Sequence, residues 1–344
     1  MTPIRRVIAA TSAAGLLALA ACSGGDQTDG SDASGGSGED GEAGDFEPVT
    51  LEHAFGSTEI SEQPQDVVTL GWGSTEAALA LGVEPVGIEQ QTYGADGQGR
   101  LPWVAEALQE AGAEPTMLPP AVEEPPYEEI DSLSPDLILA PYSGIDEEQY
   151  ELLSEIAPTV AYPEAPWTTP WRDVITLTGE ALGLADEADG LVEDLDGRIE
   201  QAVADHPELE GKSVAAIWDV GGVFYVYRPQ DSRVDFLLDL GLTSAPAVEE
   251  LASGSNTFLY ELSYEETSRL ESDIVVNYAS TQEEVETFLD QSYAQAIPAV
   301  QDGAVAHIVG DDLVAAMSPP TALSITWGLE EYVDAISEAA AAAE

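Results

Sequence analysis

Residues 67–88, VVTLGWGSTEAALALGVEPVGI, predict a strand, a helix and a second strand in direct succession. An apolar, β-branched run opens the stretch, good helix formers follow Ser74, and a second short apolar run closes it. Ser74 suits the N-cap of the helix, and the carboxylate of Glu76 suits its positive end. Because strands that alternate with helices form mostly parallel sheets, this stretch predicts an α/β fold.

The same alternation continues along the chain. Further short strands are expected at 136–140, 159–162, 213–218, 223–227, 274–277 and 304–309, with helices near 234–240, near 283–289 and after Pro319-Pro320. The proline-free stretch 171–205 has apolar residues at helical spacing and predicts a long helix, with Gly183 and Gly190 as weak points. The sequence therefore predicts two Rossmann-like α/β lobes joined by a single long helix, with a ligand cleft between the lobes.

The N-terminus has the pattern of a secretion signal. Arg5 and Arg6 precede an apolar run that is too short to span a bilayer and ends in LAAC at Cys22, the only cysteine. This ending resembles the lipobox of bacterial lipoproteins, which implies that Cys22 is lipidated and becomes the mature N-terminus. We therefore expect a protein that is secreted and anchored by lipid to the outer face of the cell membrane.

The next segment, residues 22–45, consists almost entirely of Gly, Ser and acidic residues. Such a segment cannot bury enough apolar surface to offset the entropy of ordering, so it predicts a disordered tether. The expected organisation is a signal peptide at 1–21, the tether at 22–45, an N-terminal lobe at 46–169, a linker helix at 170–205 and a C-terminal lobe at 206–344.

The composition argues against several classes of function. Lys and Arg number 9 against 66 Asp and Glu, a formal net charge of −57, so there are few cations to bind nucleic acid. One Cys and three His are too few for a disulfide scaffold or a zinc cage. The sequence has no G-x-S-x-G, H-E-x-x-H or G-x-x-x-x-G-K-[ST] motif, and we expect neither catalysis nor a resident cofactor or metal.

Two segments of the chain repeat each other. Residues 127–139, YEEIDSLSPDLIL, and 264–276, YEETSRLESDIVV, share Tyr, two Glu, Leu and Asp at the same offsets, and one copy falls in each predicted lobe. Two copies are too few for a solenoid. They indicate two lobes of equivalent construction.

Aromatic and arginine side chains recur at predicted strand ends and in loops, where ligands of open α/β sheets bind. Five of the six Trp are expected there, and only Trp327 in a helix. Flat rings and Tyr hydroxyls suit a large amphipathic ligand. Arg233 is instead expected to form a surface salt bridge. The candidate ligand-binding residues are Trp72, Tyr93, Arg100, Trp103, Tyr142, Trp167, Trp171, Trp218, Tyr225, Tyr227, Arg228 and Tyr278.

Several segments together resemble the substrate-binding lipoproteins of ABC importers, in particular the actinobacterial members of the iron-siderophore and cobalamin class. They are the lipobox at 19–22, HAFGSTEI at 53–60, VVTLGWGSTE at 67–76, ALGVEPVG at 80–87 and LSPDLIL at 133–139. The resemblance covers nearly all of 49–337. It implies a monomeric protein that delivers a ferric siderophore to a permease. It also implies one rigid interlobe helix, which resists wide closure of the two lobes.

The basic residues bear on which siderophore is expected. Only seven Lys and Arg lie beyond the signal peptide, whereas a tricatecholate complex carries several negative charges that want a cationic cluster. A neutral or weakly charged ferric hydroxamate is therefore favoured. Cobalamin or haem on the same scaffold, a zinc or manganese binder of related architecture, and a surface hydrolase are the alternatives.

The repeat also suggests how the protein meets its permease. By resemblance to the cobalamin-binding relative, Glu128 and Glu265, one in each repeat copy, are expected to dock onto Arg residues of the two permease subunits. A two-fold pair of acids suits a two-fold pair of basic pockets. Glu129 and Glu266 are the nearest alternatives.

Overall fold

A β-hairpin opens the part of the chain that the structure describes, residues 46–121 and 124–343. This computed structural model places β1 at Val49–His53 and β2 at Gly56–Ile60, paired antiparallel. The turn between them is held to the first lobe because the Ala54 N–H donates to the Tyr162 carbonyl at 3.0 Å. The predicted signal peptide, Cys22 and the predicted tether lie outside the described residues.

The first lobe is a five-stranded, wholly parallel sheet of order β5-β4-β3-β6-β7. Every residue of β6 is buried, because helices and the hairpin cover both faces of the sheet. The strands are β3 Val67–Thr69, β4 Gly87–Glu89, β5 Thr116–Leu118, β6 Leu137–Ala140 and β7 Thr159–Ala161. The helices are α1 Ser74–Ala80, α2 Pro102–Ala111, α3 Tyr127–Ser132 and α4 Glu147–Ile156.

The predicted N-cap of α1 is wrong by one residue. The cap is Gly73, whose φ of 82° lies in the left-handed region, and no side chain caps the helix. Ser74 is already helical, and its hydroxyl donates to the Leu70 carbonyl at 2.8 Å. The helix therefore starts from a glycine turn rather than from a serine cap.

The stretch 171–205 forms two helices rather than one. Helix α5, Trp171–Leu182, ends at Gly183, which has a left-handed φ of 71° that a side chain would disfavour. Helix α6, Ala185–Asp205, follows after a short turn and has 21 residues. The prediction of one helix beginning at 170 is therefore wrong, and the long helix between the lobes is α6.

The second lobe has a mixed sheet of order β11-β9-β8-β12-β13, with β10 beside β8. Strands β9 and β11 run antiparallel to their neighbours, and the remaining pairings are parallel. The strands are β8 Ser213–Val220, β9 Val223–Tyr227, β10 Thr243–Ser244, β11 Leu259–Glu261, β12 Ile274–Ala279 and β13 Val305–Val309. The helices are α7 Ser232–Asp239, α8 Pro246–Glu250, α9 Gln282–Leu289, α10 Pro298–Asp302, α11 Asp311–Ala316 and α12 Ser324–Ala342.

The sequence repeat corresponds to a repeated contact. Asp136, just before β6, accepts hydrogen bonds from the backbone N–H groups of Gln65 and Asp66 at 2.8 and 3.0 Å, just ahead of β3. Asp273, just before β12, accepts one from the N–H of Ser213 at 2.7 Å, at the start of β8. Each aspartate thus holds the backbone at or just ahead of the start of the neighbouring central strand, so the two repeat copies make equivalent contacts.

An ionic brace connects the two interlobe helices to the second lobe. Arg172 on α5 donates to Asp196 on α6 at 2.6 and 2.9 Å and to Asp239 on α7 at 2.8 Å. Its guanidinium also lies over the Trp171 ring, 4.2 Å from the centroid. Burial lowers the pKa of Arg172, but the two carboxylates outweigh this and raise it above its ordinary value.

Candidate functional site

A cleft of about 520 Å³ lies between the lobes, at the carboxyl ends of β3 and β6. This volume is within the range of sites for drug-sized ligands. Aromatic side chains from both lobes make up much of its wall. The lining residues are Trp72, Tyr93, Tyr142, Trp167, Trp218, Asp231, Ser232, Arg233, Asn256, Phe258, Leu259, Ser318 and Pro319.

The first-lobe wall depends on the loop that follows β3. The Trp72 N–H donates to the Tyr142 carbonyl at 3.0 Å, which ties the loop after β3 to the loop after β6. Gly71 has a left-handed φ of 76°, and a Cβ atom there would lie 2.2 Å from the same carbonyl oxygen. Only glycine therefore allows the two loops to approach this closely.

A half-buried carboxylate at the end of β4 fixes the same loop. Glu89 accepts hydrogen bonds from the backbone N–H groups of Gly71 at 2.7 Å and Ala121 at 2.8 Å. Burial raises the pKa of Glu89, and these two donors only partly offset the rise. Since both carboxylate oxygens already accept backbone hydrogen bonds, Glu89 positions the wall rather than offering a free acid to a ligand.

Trp167 is the most exposed aromatic side chain of the cleft. It is 42% exposed and has a φ of 61°, a left-handed conformation that bulky residues seldom adopt. Its backbone N–H donates to the Ser143 carbonyl at 3.2 Å. Its ring meets the Tyr142 ring edge to face, with the centroids 5.7 Å apart. Exposed apolar area on a strained backbone is characteristic of a ligand-contacting residue.

An aromatic contact closes the opposite side of the cleft. Tyr93 of the first lobe and Trp218 of the second have ring centroids 6.1 Å apart. Behind them, Tyr278 is 1% exposed and its hydroxyl hydrogen-bonds the hydroxyl of Tyr332 at 3.0 Å. The Tyr278 ring centroid is 6.4 Å from that of Trp218, so Tyr278 supports this ring from within the core and does not line the cleft.

The cleft contains one cationic side chain, Arg233, among the described residues that line it. Arg233 is in the first turn of α7 and donates to both carboxylate oxygens of Asp231 at 2.9 and 3.0 Å. Its guanidinium lies 4.6 Å from the centre of the Tyr227 ring. Burial lowers the pKa of Arg233, but Asp231 outweighs this, so the guanidinium stays charged. The ion pair leaves this part of the cleft with no net charge.

Four donors in the cleft wall have no hydrogen-bond partner within the described parts of the chain. They are the indole Nε1 of Trp218, the Nε of Arg233 and the hydroxyls of Tyr93 and Ser318. A buried donor without a partner costs free energy, so native proteins leave few of them. Four such groups in one cleft indicate a ligand rich in acceptor oxygens.

Seven of the predicted ligand-binding residues are not brought to the cleft. Trp103 is 3% exposed and donates to Glu76 at 3.1 Å, and Trp171 and Tyr227 are also buried. Trp103 and Trp171 lie in α2 and α5, so the expectation of five Trp at strand ends and loops is wrong. The residues away from the cleft are Arg100, Trp103, Trp171, Tyr225, Tyr227, Arg228 and Tyr278.

The two neighbouring arginines exchange the positions expected for them. Arg228, expected in the cleft, pairs with Glu249 at 2.9 Å, whereas Arg233, expected on the surface, lines the cleft. Arg100 is also paired, with Asp96 at 2.8 Å. The sequence signal that could have identified Arg233 as a cleft residue is Asp-Ser-Arg at 231–233, at the start of a helix that follows a strand. Asp231 caps α7 and orients the arginine beside it.

A loop that the sequence did not single out completes the second-lobe wall. The Asn256 side chain accepts from the Phe258 N–H at 2.8 Å, which forms a turn leading into β11. This turn presents Asn256 and Phe258 to the cleft. The only signal for this turn in the sequence is the Gly-Ser-Asn-Thr run at 254–257, which predicts a loop but does not indicate that its side chains face the cleft.

The two proposed docking acids are exposed on their lobes. Glu128 lies in the first turn of α3, and Glu265 lies in the turn before the 3₁₀ segment Thr267–Arg269. Glu266 differs from Glu265 because it pairs with Arg269 at 2.5 Å.

The described part of the chain has no group of three or more His, Cys, Asp or Glu placed to hold a metal ion. Among its helices, none combines the length and the apolar character needed to cross a bilayer.

Known proteins share both the sequence and the fold. Residues 67–311 match the family described as periplasmic binding protein. PiaA of Streptococcus pneumoniae TIGR4, solved in complex with ferrichrome, is 34% identical with a TM-score of 0.77, over 86% of this chain and 99% of that chain. A periplasmic solute binding protein of Mycobacterium smegmatis is 27% identical with a TM-score of 0.73, over 85% and 99%. These likenesses confirm the two-lobe α/β prediction.

A shorter match is to a Bacillus subtilis protein described as a probable siderophore-binding lipoprotein, YfiY. It is 33% identical over 138 residues, which are 40% of this chain and 39% of that protein. The chain thus matches less than half the length of this relative.

Proposed function

Because the chain belongs to the periplasmic binding protein family, we propose that it is the substrate-binding protein of an ABC importer and that it captures a ferric siderophore. The observation that carries this proposal is the aromatic cleft of about 520 Å³ with unpartnered donors in its wall. A ferric siderophore presents iron-bound oxygens and an apolar periphery, which suit such donors and rings. The iron arrives within the ligand, so the proposal assigns the protein neither a resident metal nor a catalytic role.

A hydroxamate is the siderophore class that best suits the charge of the cleft. Among the described residues, the one cation that lines it, Arg233, is already paired with Asp231. A ferric tris-hydroxamate is close to neutral, whereas a tricatecholate would bring several negative charges to a site with no spare cation. The similarity to PiaA, solved with ferrichrome, supports the same choice.

We place the protein on the outer face of the membrane, anchored through Cys22. The LAAC sequence and the single cysteine support this, and the YfiY relative is described as a lipoprotein. The acidic tether of residues 22–45 would hold the folded body away from the bilayer.

The proposed partner is the permease of the importer, met through Glu128 and Glu265. Both acids are exposed, and each follows the same Tyr in its copy of the repeat. The hydrogen bonds of Asp136 and Asp273 support an equivalent setting for the two repeat copies. Charge pairing at such a surface sets orientation and encounter rate more than affinity.

The test is a ligand panel read by tryptophan fluorescence with the purified protein. Trp72, Trp167 and Trp218 line the cleft, so an iron chromophore bound there should quench emission in a saturable way. We expect a ferric tris-hydroxamate to quench the emission. Its iron-free form at the same concentration and a ferric tricatecholate should leave the emission unchanged. Saturable binding of haemin, cobalamin or only the tricatecholate would overturn the hydroxamate assignment.

A further inference from the structure

A side chamber of about 190 Å³ adjoins the cleft on the side of the interlobe helices. It shares Tyr142, Trp167, Ser232 and Pro319 with the cleft, so a ligand in the cleft can reach it past the two rings. A liquid water occupies about 30 Å³, so the chamber has room for roughly six groups of that size. This is enough for a short aliphatic arm but too little for a second metal complex.

Asp235 contributes a carboxylate to the wall of the chamber. Asp235, one helical turn after the cap of α7, lines the chamber, and its side chain forms no hydrogen bond or ion pair within the described parts of the chain. Burial raises the pKa of Asp235, the nearby Asp239 raises it further, and Arg172 lowers it. The Asp235 side chain is exposed, so its carboxylate is open to a cationic group that enters the chamber.

The charges around Asp235 compensate its carboxylate only in part. The nearest guanidinium, Arg172, already donates to Asp196 through two nitrogens and to Asp239 through a third. Three carboxylates therefore surround one guanidinium on this side of the cleft. The Arg233–Asp231 pair, by contrast, is balanced.

The aromatic side chains at the entrance add to the preference for a cation. The rings of Tyr142 and Trp167 border both the cleft and the chamber, and aromatic faces attract ammonium groups. The Trp171 ring is already covered by Arg172, so among the rings of the described residues that line the chamber the first two are available to a ligand.

We infer that the side chamber binds a cationic arm, a primary ammonium on a short alkyl chain, that extends from the ferric hydroxamate in the cleft. This inference rests on the proposed function and makes it narrower. The neutral cleft receives the iron complex, and Asp235 receives the ammonium. The protein thereby distinguishes hydroxamates with a free amine from those without one.

The experiment compares two ligands that differ only in this charge. Ferrioxamine B carries a terminal ammonium, and its N-acetyl derivative has the same ferric core with a neutral arm. Binding of both is measured by fluorescence quenching with the wild type, Asp235→Asn and Asp302→Asn. Asp302 is an exposed acid of the same lobe that lines neither the cleft nor the chamber, so it is the matched control.

We expect the wild type and Asp302→Asn to bind ferrioxamine B about fivefold more tightly than the acetylated ligand, as for one exposed ion pair. Asp235→Asn should bind both alike, with affinity for the acetylated ligand unchanged. Equal wild-type affinities, or an equal loss for both ligands in Asp235→Asn, would overturn the inference while leaving the proposed function intact. If neither ligand binds the wild type, the hydroxamate assignment fails and the inference falls with it.

Discussion

The ring of Trp167 meets the ring of Tyr142 edge to face, with centroids 5.7 Å apart. Tyr142 is 8% exposed and anchors the pair in the first lobe, whereas Trp167 projects from a loop in a strained conformation. The buried ring therefore holds the exposed ring at the mouth of the cleft. This arrangement separates binding from folding, because the outer ring contributes little to the core.

Trp167→Ala should weaken binding of the ferric hydroxamate by about tenfold, because it removes an aromatic contact with the ligand. The free energy of unfolding should change by less than about 1 kcal/mol, since the side chain is 42% exposed. Fluorescence titration and urea unfolding measure the two effects. Val220→Ala, at a residue 40% exposed on a hairpin, is the control and should leave both unchanged. Unfolding of the Trp167 variant with unaltered affinity would show that this is a packing residue.

Replacing Arg233 should affect both binding and stability. Arg233→Met removes a cation that lines the cleft and leaves the buried Asp231 without its ion-pair partner, which should cost about 3 kcal/mol of stability and at least about tenfold in affinity. The double variant Asp231→Asn with Arg233→Met should recover much of the stability, measured by urea unfolding, and none of the affinity. If the double variant binds as the wild type does, Arg233 has no part in ligand recognition.

The docking proposal predicts a loss of transport without a loss of binding. Reversing both charges, Glu128→Arg with Glu265→Arg, should leave fluorescence quenching intact and reduce cellular uptake of the radiolabelled ferric ligand by about tenfold, because both contacts become repulsive. Glu129→Arg with Glu266→Arg is the comparison pair and should have the smaller effect, since Glu266 is held by Arg269. Normal uptake in the first pair would rule out these docking acids.

The brace around Arg172 predicts little movement between the lobes. It connects both interlobe helices to α7, so small-angle scattering with and without ligand should give radii of gyration within about 0.3 Å. Arg172→Gln should lower the free energy of unfolding by about 1 kcal/mol, because the ion pairs are partly exposed. A contraction of several ångströms in the wild type would contradict the braced arrangement.

The hairpin should respond to acid through His53. The Thr58 hydroxyl donates to the Thr159 carbonyl at 2.6 Å and can only accept from His53 Nε2 at 2.9 Å, while the Phe55 N–H donates to Nδ1 at 3.3 Å. This geometry requires the neutral ring. Burial lowers the pKa of His53 below its ordinary 6.5, and Glu52 offsets this in part.

The unfolded chain binds a proton at His53 more readily than the folded protein does. The contribution of this site to the free energy of unfolding is therefore complete above about pH 6.5, and it is lost as the pH falls from there through the folded-state pKa. The loss from this site is at most about 1.4 kcal/mol per pH unit. His53→Gln should therefore come closer to the wild type in urea unfolding as the pH is lowered from about 7.5 to about 5. A gap that widens on acidification would show the opposite sign.

Elements with local signals could be predicted from the sequence. Strand β3 and helix α1 lie within one residue of expectation, because hydrophobic periodicity and the Gly71-Trp72-Gly73 turn are properties of neighbouring residues. The break between α5 and α6 was harder to place. Gly183 ends a helix only because its φ is left-handed, while Gly190 and other glycines remain within helices.

The cleft was predicted only in part, because a side chain's direction depends on partners that the local sequence does not specify. Arg228 meets Glu249, 21 residues away, and is held on the surface, whereas Arg233 meets Asp231 within its own helix cap. Trp103 looked like a loop residue but lies in a helix, where a buried carboxylate accepts its indole N–H. In a chain with 66 acids, pattern alone cannot say which acid pairs with which arginine.

Gly71 and Trp167 set opposite limits on how this binding specificity can evolve. A Cβ atom at Gly71 would lie 2.2 Å from the Tyr142 carbonyl, so any other amino acid displaces the loop that supports the wall. Trp167 is exposed, and its backbone would be less strained with glycine or asparagine. Mutations that alter ligand preference can therefore accumulate at exposed positions such as Trp167, while selection for folding keeps the loop at Gly71 unchanged.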